Sequence, residues 1–270
     1  MTDRSVLVLA PRFPLPLASG TQIREYHVLS ALAERFDVTL VSLVQDGEGR
    51  DRIDEVASLA DVHTVPHSRS KPEAIVRFAL SRDPYRVCKL TTTAFRERVA
   101  DVLAAGSFDL VWANFLNTVP AVPASSPVPV VLDEHNSDVR YWETFDDGSL
   151  PERAVAALNV RRLGRLRQSV ADRIDGVVSV AEADAAEARE WAGEPVWTLP
   201  NGVDVDEFEP RTAAADADPR VVFVGSLDVR MNEDAVAWFV ERAWPAVRTQ
   251  HPDATFSVVG RNPSRRVREL

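Results

Sequence analysis

The sequence predicts an α/β protein: a doubly wound parallel sheet followed by a shorter second unit of the same kind. Three observations carry this prediction. Short apolar runs without alternation recur along the chain, the mark of strands buried on both faces. Segments of helical spacing lie between them, so strands and helices alternate. The alternation breaks once, in an acidic stretch, and then restarts.

The elements follow in order. SVLVLA (5–10) reads as the first buried strand, and PRFPLPLASG as a Pro-rich loop ending in Gly. The next segment carries Ile23, Tyr26, Leu29, Leu32 and Phe36 at helical spacing, with Ser19 and Gln22 as a capping box. DVTLVSLV (37–44) is the second strand, GEGRDRIDEVASLA a helix, and VHTVPH (62–67) the third strand. Helices are predicted over 72–81 and 92–105, and strands over 108–114 and 127–136. A long helical stretch covers 151–174, followed by strand 175–180, a short helix EADAAEAREWA, and strand 195–202.

This gives a first domain over residues 1–202 and an acidic interdomain linker over 203–219, rich in Ala and Asp. The pattern restarts with PRVVFVGS (219–226), a helix from Asn232 in which Pro245 should kink the axis or begin a new turn, strand 254–260 and the start of a helix at 264. The second domain, 220–270, is short against the ~100–150 residues usual for such a unit. Two parallel strands cannot cover both faces of a sheet, so exposed apolar surface is expected there.

Bulk properties exclude several classes. The net charge of −10 argues against general nucleic-acid binding. Cys88 is the one cysteine, so no intrachain disulfide forms, and it reads as a small core residue. No run approaches the ~20 apolar residues of a membrane span. A cytoplasmic protein is expected, with a peripheral position at the inner membrane face compatible. The 41 acids, 31 bases and only two lysines, Lys71 and Lys89, suggest a high-salt cytoplasm, although GC-rich codon usage gives the same bias.

Ligands of parallel sheets bind beyond the carboxyl ends of strands, which narrows the candidates. Gly20, between the first strand and helix, lets a phosphate approach the helix N-terminus, or simply makes a turn. DEHN (133–136) ends a buried strand. There Asp133 and His135 can orient a hydroxyl or move a proton, or the cluster merely caps a turn. In VGSLDVRMN (224–232), Gly225 permits close approach, Arg230 can clamp a diphosphate and Asn232 can support it, with a plain strand-to-helix turn as the alternative. The long helix carries Arg153, Arg161, Arg162, Arg165, Arg167 and Arg173, either a solvated face or an attraction for anionic headgroups. For His63 and His67 no acidic or Cys partner is obvious in the sequence, and no metal signature is found there.

Together these stretches resemble family 4 glycosyltransferases of the GT-B fold. The residues that carry the resemblance are the opening PRFPLPLASGTQIREYHVLSALAERFDVTLVSLV, then RIDGVVSVAEADAAE, PNGVDVDEFEP (200–210) and VVFVGSLDVRMNEDAVAWFVERAWPAV. The resemblance implies a complete Rossmann-like acceptor domain plus a partial Rossmann-like donor domain. It implies a retaining hexosyl transfer from an NDP-sugar to a glycan or lipid-linked acceptor in surface-polysaccharide or glycoconjugate assembly. No cofactor and no essential metal are implied, the NDP-sugar being the donor substrate. Gly20 matches the loop facing the donor phosphates and His135 the strand-end His that contacts the transferred sugar. Asn201, Gly202 and Asp204 match the interdomain segment, and Gly225 opens the donor side. Two departures stand out. Where many members place Arg and Lys to clamp the diphosphate, this chain has Ser226 and Asn232, with Arg230 the only nearby base. The Glu-x7-Glu region that holds sugar and ribose is expected beyond Leu270, so the donor domain is expected to be cut short. A split gene, a frameshifted remnant and a partial sequence fit this equally. A non-catalytic remnant that binds an acceptor, a membrane surface or a complementing donor-domain chain is the competing reading, and a sugar-nucleotide epimerase of the same fold is a third.

Overall fold

The computed structural model describes residues 4–45, 50–67, 69–145, 148–206, 208 and 219–270. The chain divides into two compact units, residues 1–202 and 203–270.

The first unit is built on seven parallel strands: β1 (Ser5–Ala10), β2 (Asp37–Gln45), β3 (Asp61–His67), β4 (Leu110–Asn114), β5 (Val130–Glu134), β6 (Gly176–Ser179) and β7 (Val196–Thr198). Between them lie α1 (Gly20–Ala33), α2 (Ile53–Ala57), α3 (Lys71–Leu80), α4 (Tyr85–Leu90), α5 (Thr93–Ala105), α6 (Asp138–Glu143), α7 (Leu150–Val170) and α8 (Glu182–Ala192). The strand order is β3-β2-β1-β4-β5-β6-β7. The chain runs outward from β1 to β3, then returns to place β4 on the other flank of β1. A crevice therefore opens where the order reverses, beyond the carboxyl ends of β1 and β4.

Alternation along β1 explains the two cores. Leu7 and Leu9 join Val41, Leu43, Phe95, Val99, Val111, Leu132 and Leu163 on one side of the sheet. Val6, Val8 and Ala10 join Phe13, Leu29, Val38, Leu40 and Val56 on the other. Successive strand side chains point to opposite faces, so a run such as SVLVLA feeds both layers. Each fully buried Leu contributes about 1.5–3 kcal/mol.

Several elements differ from expectation. The helix predicted over 47–60 is a 3₁₀ turn at Arg50–Arg52 and the short α2, while residues 46–49 lie outside the described residues. β5 ends at Glu134, so His135 stands one residue past the strand, and β7 is three residues long. On α1 the buried residues are Gln22, Arg24, Glu25 and Leu29, while Ile23 is 42% exposed. The N-terminal half of α1 projects past the apolar sheet to the polar strand ends, so polar side chains turn inward there. Ser19 caps α1 by accepting from the Gln22 N–H, but the Gln22 amide bonds to the Phe13 carbonyl at 3.1 Å instead of closing a reciprocal box.

The Arg-rich helix is neither a uniformly solvated face nor a uniformly basic one. Arg153, Arg161 and Arg165 are exposed, but Arg162 and Arg167 are buried. Arg162 stacks on Phe78, 4.2 Å from its ring centroid, and donates to the Phe78 carbonyl at 2.5 Å. Arg167 pairs with Glu134 at 3.3 Å and Glu187 at 2.5 Å. Arg173 lies beyond α7 in a 3₁₀ turn and donates to the Val122 carbonyl.

The second unit holds β8 (Arg220–Val224) and β9 (Thr255–Val259), paired in parallel. Its helices are α9 (Arg230–Trp238), α10 (Trp244–Gln250) and α11 (Arg265–Arg268). A π-helical turn, Phe239–Ala243, joins α9 to α10. Pro245 sits in the first turn of α10, and the wider π turn ahead of it accommodates a ring that would clash with a carbonyl of a regular helix. Phe239, Trp244 and Phe256 form the aromatic centre of this unit. The opposite sheet face is bare: Val222, Val224 and Val259 are 52%, 74% and 52% exposed. Much of the acidic stretch expected to be a linker, residues 207 and 209–218, lies outside the described residues.

Candidate functional site

The register of β4 and β5 sets Asn114 beside Asp133 at the strand ends. His135 follows directly. Its Nε2 lies 3.3 Å from Asn114 Oδ1 and 3.5 Å from Asp133 Oδ2. Both neighbours accept, so Nε2 carries the hydrogen. In the neutral ring Nδ1 is then an acceptor, and it is buried with no hydrogen-bond partner. The imidazole rests on the Phe115 ring at a centroid distance of 4.3 Å. Phe115 has φ 64°, an unusual conformation for a bulky residue, held by a 2.9 Å bond from its N–H to the Asp133 carbonyl.

Asp133 is fully buried and would be expensive as an unpaired charge. Arg24 of α1 supplies the partner. Its Nη2 donates to Asp133 Oδ1 at 2.8 Å and its Nε lies 3.2 Å from both carboxylate oxygens. The remaining Nη1 donates to the Leu199 carbonyl at 3.0 Å and Asn201 Oδ1 at 3.1 Å. Burial pushes the Asp133 carboxyl up, but hydrogen bonds from His135 and Arg24 outweigh it and hold the group below its usual range.

Glu25, one residue on, is in the opposite state. Both its oxygens are buried without a hydrogen-bond partner. Burial, then the nearby Asp133 charge, push its carboxyl well above the usual range, against the pull of Arg12. Behind the strand end lies a further acidic group. Burial lifts Glu134 to about 7 despite Arg167, with Asp138 and Glu187 adding to the rise. Burial likewise raises Asp138, against Arg86 and Arg167.

The predicted residues thus separate by unit. In the first, His135, Asp133 and Asn201 join one hydrogen-bonded cluster. Gly20 opens α1, and a Cβ there would meet nothing within 4 Å. Gly202 likewise has open space around it. In the second unit, Asn232 donates to the Ser226 carbonyl at 2.9 Å and Arg230 pairs with Asp234 at 3.5 Å. A Cβ on Gly225 would stand 3.0 Å from Asn232 Nδ2. Asp204 Oδ1 accepts from the Asp206 N–H at 3.0 Å and shapes a local turn. Arg24, Glu25 and Asn114 are the additions that sequence reasoning missed. A polar pair, Arg24 and Glu25, inside an otherwise amphipathic helix next to a strand-end loop was the available signal. Among the described residues, no group of three or more His, Cys, Asp or Glu is placed to hold a metal.

The model of Glycosyltransferase Family 4 matches residues 18–207, more than half of the sequence. The chain belongs to Glycosyltransferase Family 4. The match includes Gly20, Arg24, Asn114, Asp133, His135 and Asn201, so the whole polar cluster falls inside the family region. The family 4 chain is also similar in fold to sucrose-phosphate synthase from Thermosynechococcus elongatus. The TM-score is 0.60 at 15% identity, covering 96% of this chain and 71% of that one. UGT89C1 of Arabidopsis thaliana, solved with UDP-L-rhamnose, matches with a TM-score of 0.52 at 12% identity, covering 98% of this chain and 66% of that one. These likenesses show a GT-B-type α/β fold. No match was found among curated proteins. Among the described residues, no helix is long and apolar enough to cross a membrane.

Proposed function

We propose that this family 4 chain is a retaining glycosyltransferase that moves a sugar from a nucleoside diphosphate sugar to a glycan or lipid-linked acceptor, in surface-polysaccharide or glycoconjugate assembly. The observation that carries this is the cluster of Arg24, Asp133, Asn114 and His135 at the switch point of a family 4 sheet. The bound UDP-L-rhamnose of UGT89C1 supports a nucleoside diphosphate sugar as the donor class.

In this reading Asn114 and Asp133 fix the Nε2–H form of His135, and Nδ1 accepts a hydroxyl of the transferred sugar. Arg24 keeps Asp133 ionised and ties the strand end to the 199–201 segment. The N-terminus of α1 at Gly20 faces donor phosphate. No metal takes part, so activity is expected to survive chelation by EDTA.

A second reading is a non-catalytic glycosyltransferase relative that binds an acceptor or a partner chain. The bare Val222, Val224 and Val259 face of the second unit favours it. Calorimetric titration with UDP, GDP and a panel of their sugars, followed by a transfer and hydrolysis assay, separates the two. Micromolar binding with turnover lost in His135→Ala supports the transferase. Absence of binding to every nucleotide supports the second reading.

A further inference from the structure

Helix α3 is apolar where a surface helix should be polar. Ala74 and Phe78 face inward and are buried. The outward side carries Leu80, Val76 and Ile75, which are 84%, 55% and 51% exposed. Single exposed apolar residues are ordinary, but three on one ten-residue helix form a patch. α7 extends it. Arg162 of α7 stacks on Phe78 of α3, and the Tyr85 N–H at the start of α4 donates to Asn159 at 2.8 Å, so α7 packs against the α3–α4 pair. Leu158 and Val155 come one and two turns before Arg162 on that side of α7 and are 40% and 45% exposed.

Charge identifies the occupant. Acids outnumber bases 41 to 31 in the whole chain, yet residues 69–89 hold six bases against two acids, Glu73 and Asp83. Both lysines of the protein, Lys71 and Lys89, lie in that stretch. Lys71, Arg77 and Arg82 are exposed around the apolar residues, as are Arg161 and Arg165 on α7. Along α7 five bases face a single acid, Glu152, although Arg162 and Arg167 are spent on internal contacts. An apolar helix face rimmed by bases, on a protein that is otherwise acidic, matches an anionic lipid surface. The apolar side chains enter the headgroup boundary while the bases meet lipid phosphates. A soluble acidic polymer would engage the bases and leave Leu80, Val76 and Ile75 in water.

We propose that α3, flanked by α7, is the surface through which this protein docks on an anionic membrane. The inference stands on exposure and charge and does not depend on the transferase reading.

Flotation with phospholipid vesicles tests it. The full chain is expected to float with vesicles of equal parts phosphatidylcholine and phosphatidylglycerol and to remain unbound with phosphatidylcholine alone. Added salt should weaken the binding. The I75S/V76S/L80S variant is expected to lose at least about tenfold in partitioning, from lost apolar insertion. K71Q/R77Q/R82Q should lose about a hundredfold, at roughly five-fold for each base. Trp238→Ser, on the second unit and 62% exposed, should change nothing. All these side chains are exposed, and circular dichroism should show the variants folded. Failure of the unmodified chain to float with anionic vesicles overturns the proposal, as does equal binding to phosphatidylcholine. Concentration-dependent self-association abolished by I75S/V76S/L80S overturns it too, because the face would then belong to a second copy.

Discussion

Arg24 joins three parts of the first unit with one guanidinium: the helix it sits on, the β5 end at Asp133, and the 199–201 segment. Removing one partner of a buried pair leaves an uncompensated charge, so Arg24→Ala should destabilise the unit by about 3–5 kcal/mol in denaturant unfolding. Lysine cannot reproduce the fork, and Arg24→Lys should recover only part of the loss. The depressed Asp133 group contributes stability at pH values above its unfolded range, and that contribution disappears as pH falls through the lower folded value. Glu134 behaves in the opposite way. Its folded-state value of about 7 lies above the ordinary 4.5, so the native state holds a proton that the unfolded chain releases between those values. Stability from this group therefore falls as pH rises from 4.5 towards 7. Glu134→Gln should flatten that slope and be more favourable at pH 8 than at pH 5 by on the order of 1–3 kcal/mol, read from paired melts at the two pH values.

At the scale of elements, α7 shows how far a residue pattern underdetermines its use. Arg162 and Arg165 look equivalent in the sequence, but one is stacked on Phe78 and the other is exposed. Arg162→Ala should cost about 2–4 kcal/mol through a lost cation–π contact and two charged hydrogen bonds, to the Phe78 and Asp83 carbonyls. Arg165→Ala should stay within about 0.5 kcal/mol, and chemical denaturation distinguishes the two. The glycines divide similarly. A Cβ on Gly260 would come 1.8 Å from the Gly225 carbonyl oxygen, so Gly260→Ala must displace the β8–β9 strand ends. Gly20 has open space instead, and Gly20→Ala should leave the melting temperature unchanged or slightly raised while weakening nucleotide binding in calorimetry. Strand existence was legible in the apolar runs, because both faces of a parallel sheet are buried. Strand ends were not: β7 and β5 stop short of their apolar or polar flanks, since pairing with the neighbouring strand decides where a ladder ends.

Over the whole molecule, the acid excess makes a prediction about salt. If the surface is adapted to a high-salt cytoplasm, molar KCl should raise the thermal midpoint by more than the few degrees that ordinary screening gives. A flat response would assign the Lys-poor composition to codon usage. The sequence determined much by itself. Periodicity showed the α/β class and the restart near residue 219, because buried strands and amphipathic helices leave different spacings of apolar residues. The rule that ligands sit beyond strand ends picked out Asp133 and His135, since chain order alone places them there. Only the tertiary structure brought Arg24 to both Asp133 and Asn201, and Asn114 to His135, because those contacts join residues far apart in the chain. The inward turn of Glu25 and the outward turn of Leu80 were likewise decided by packing. A helix sequence states which residues share a side, but the neighbouring elements settle which side meets water.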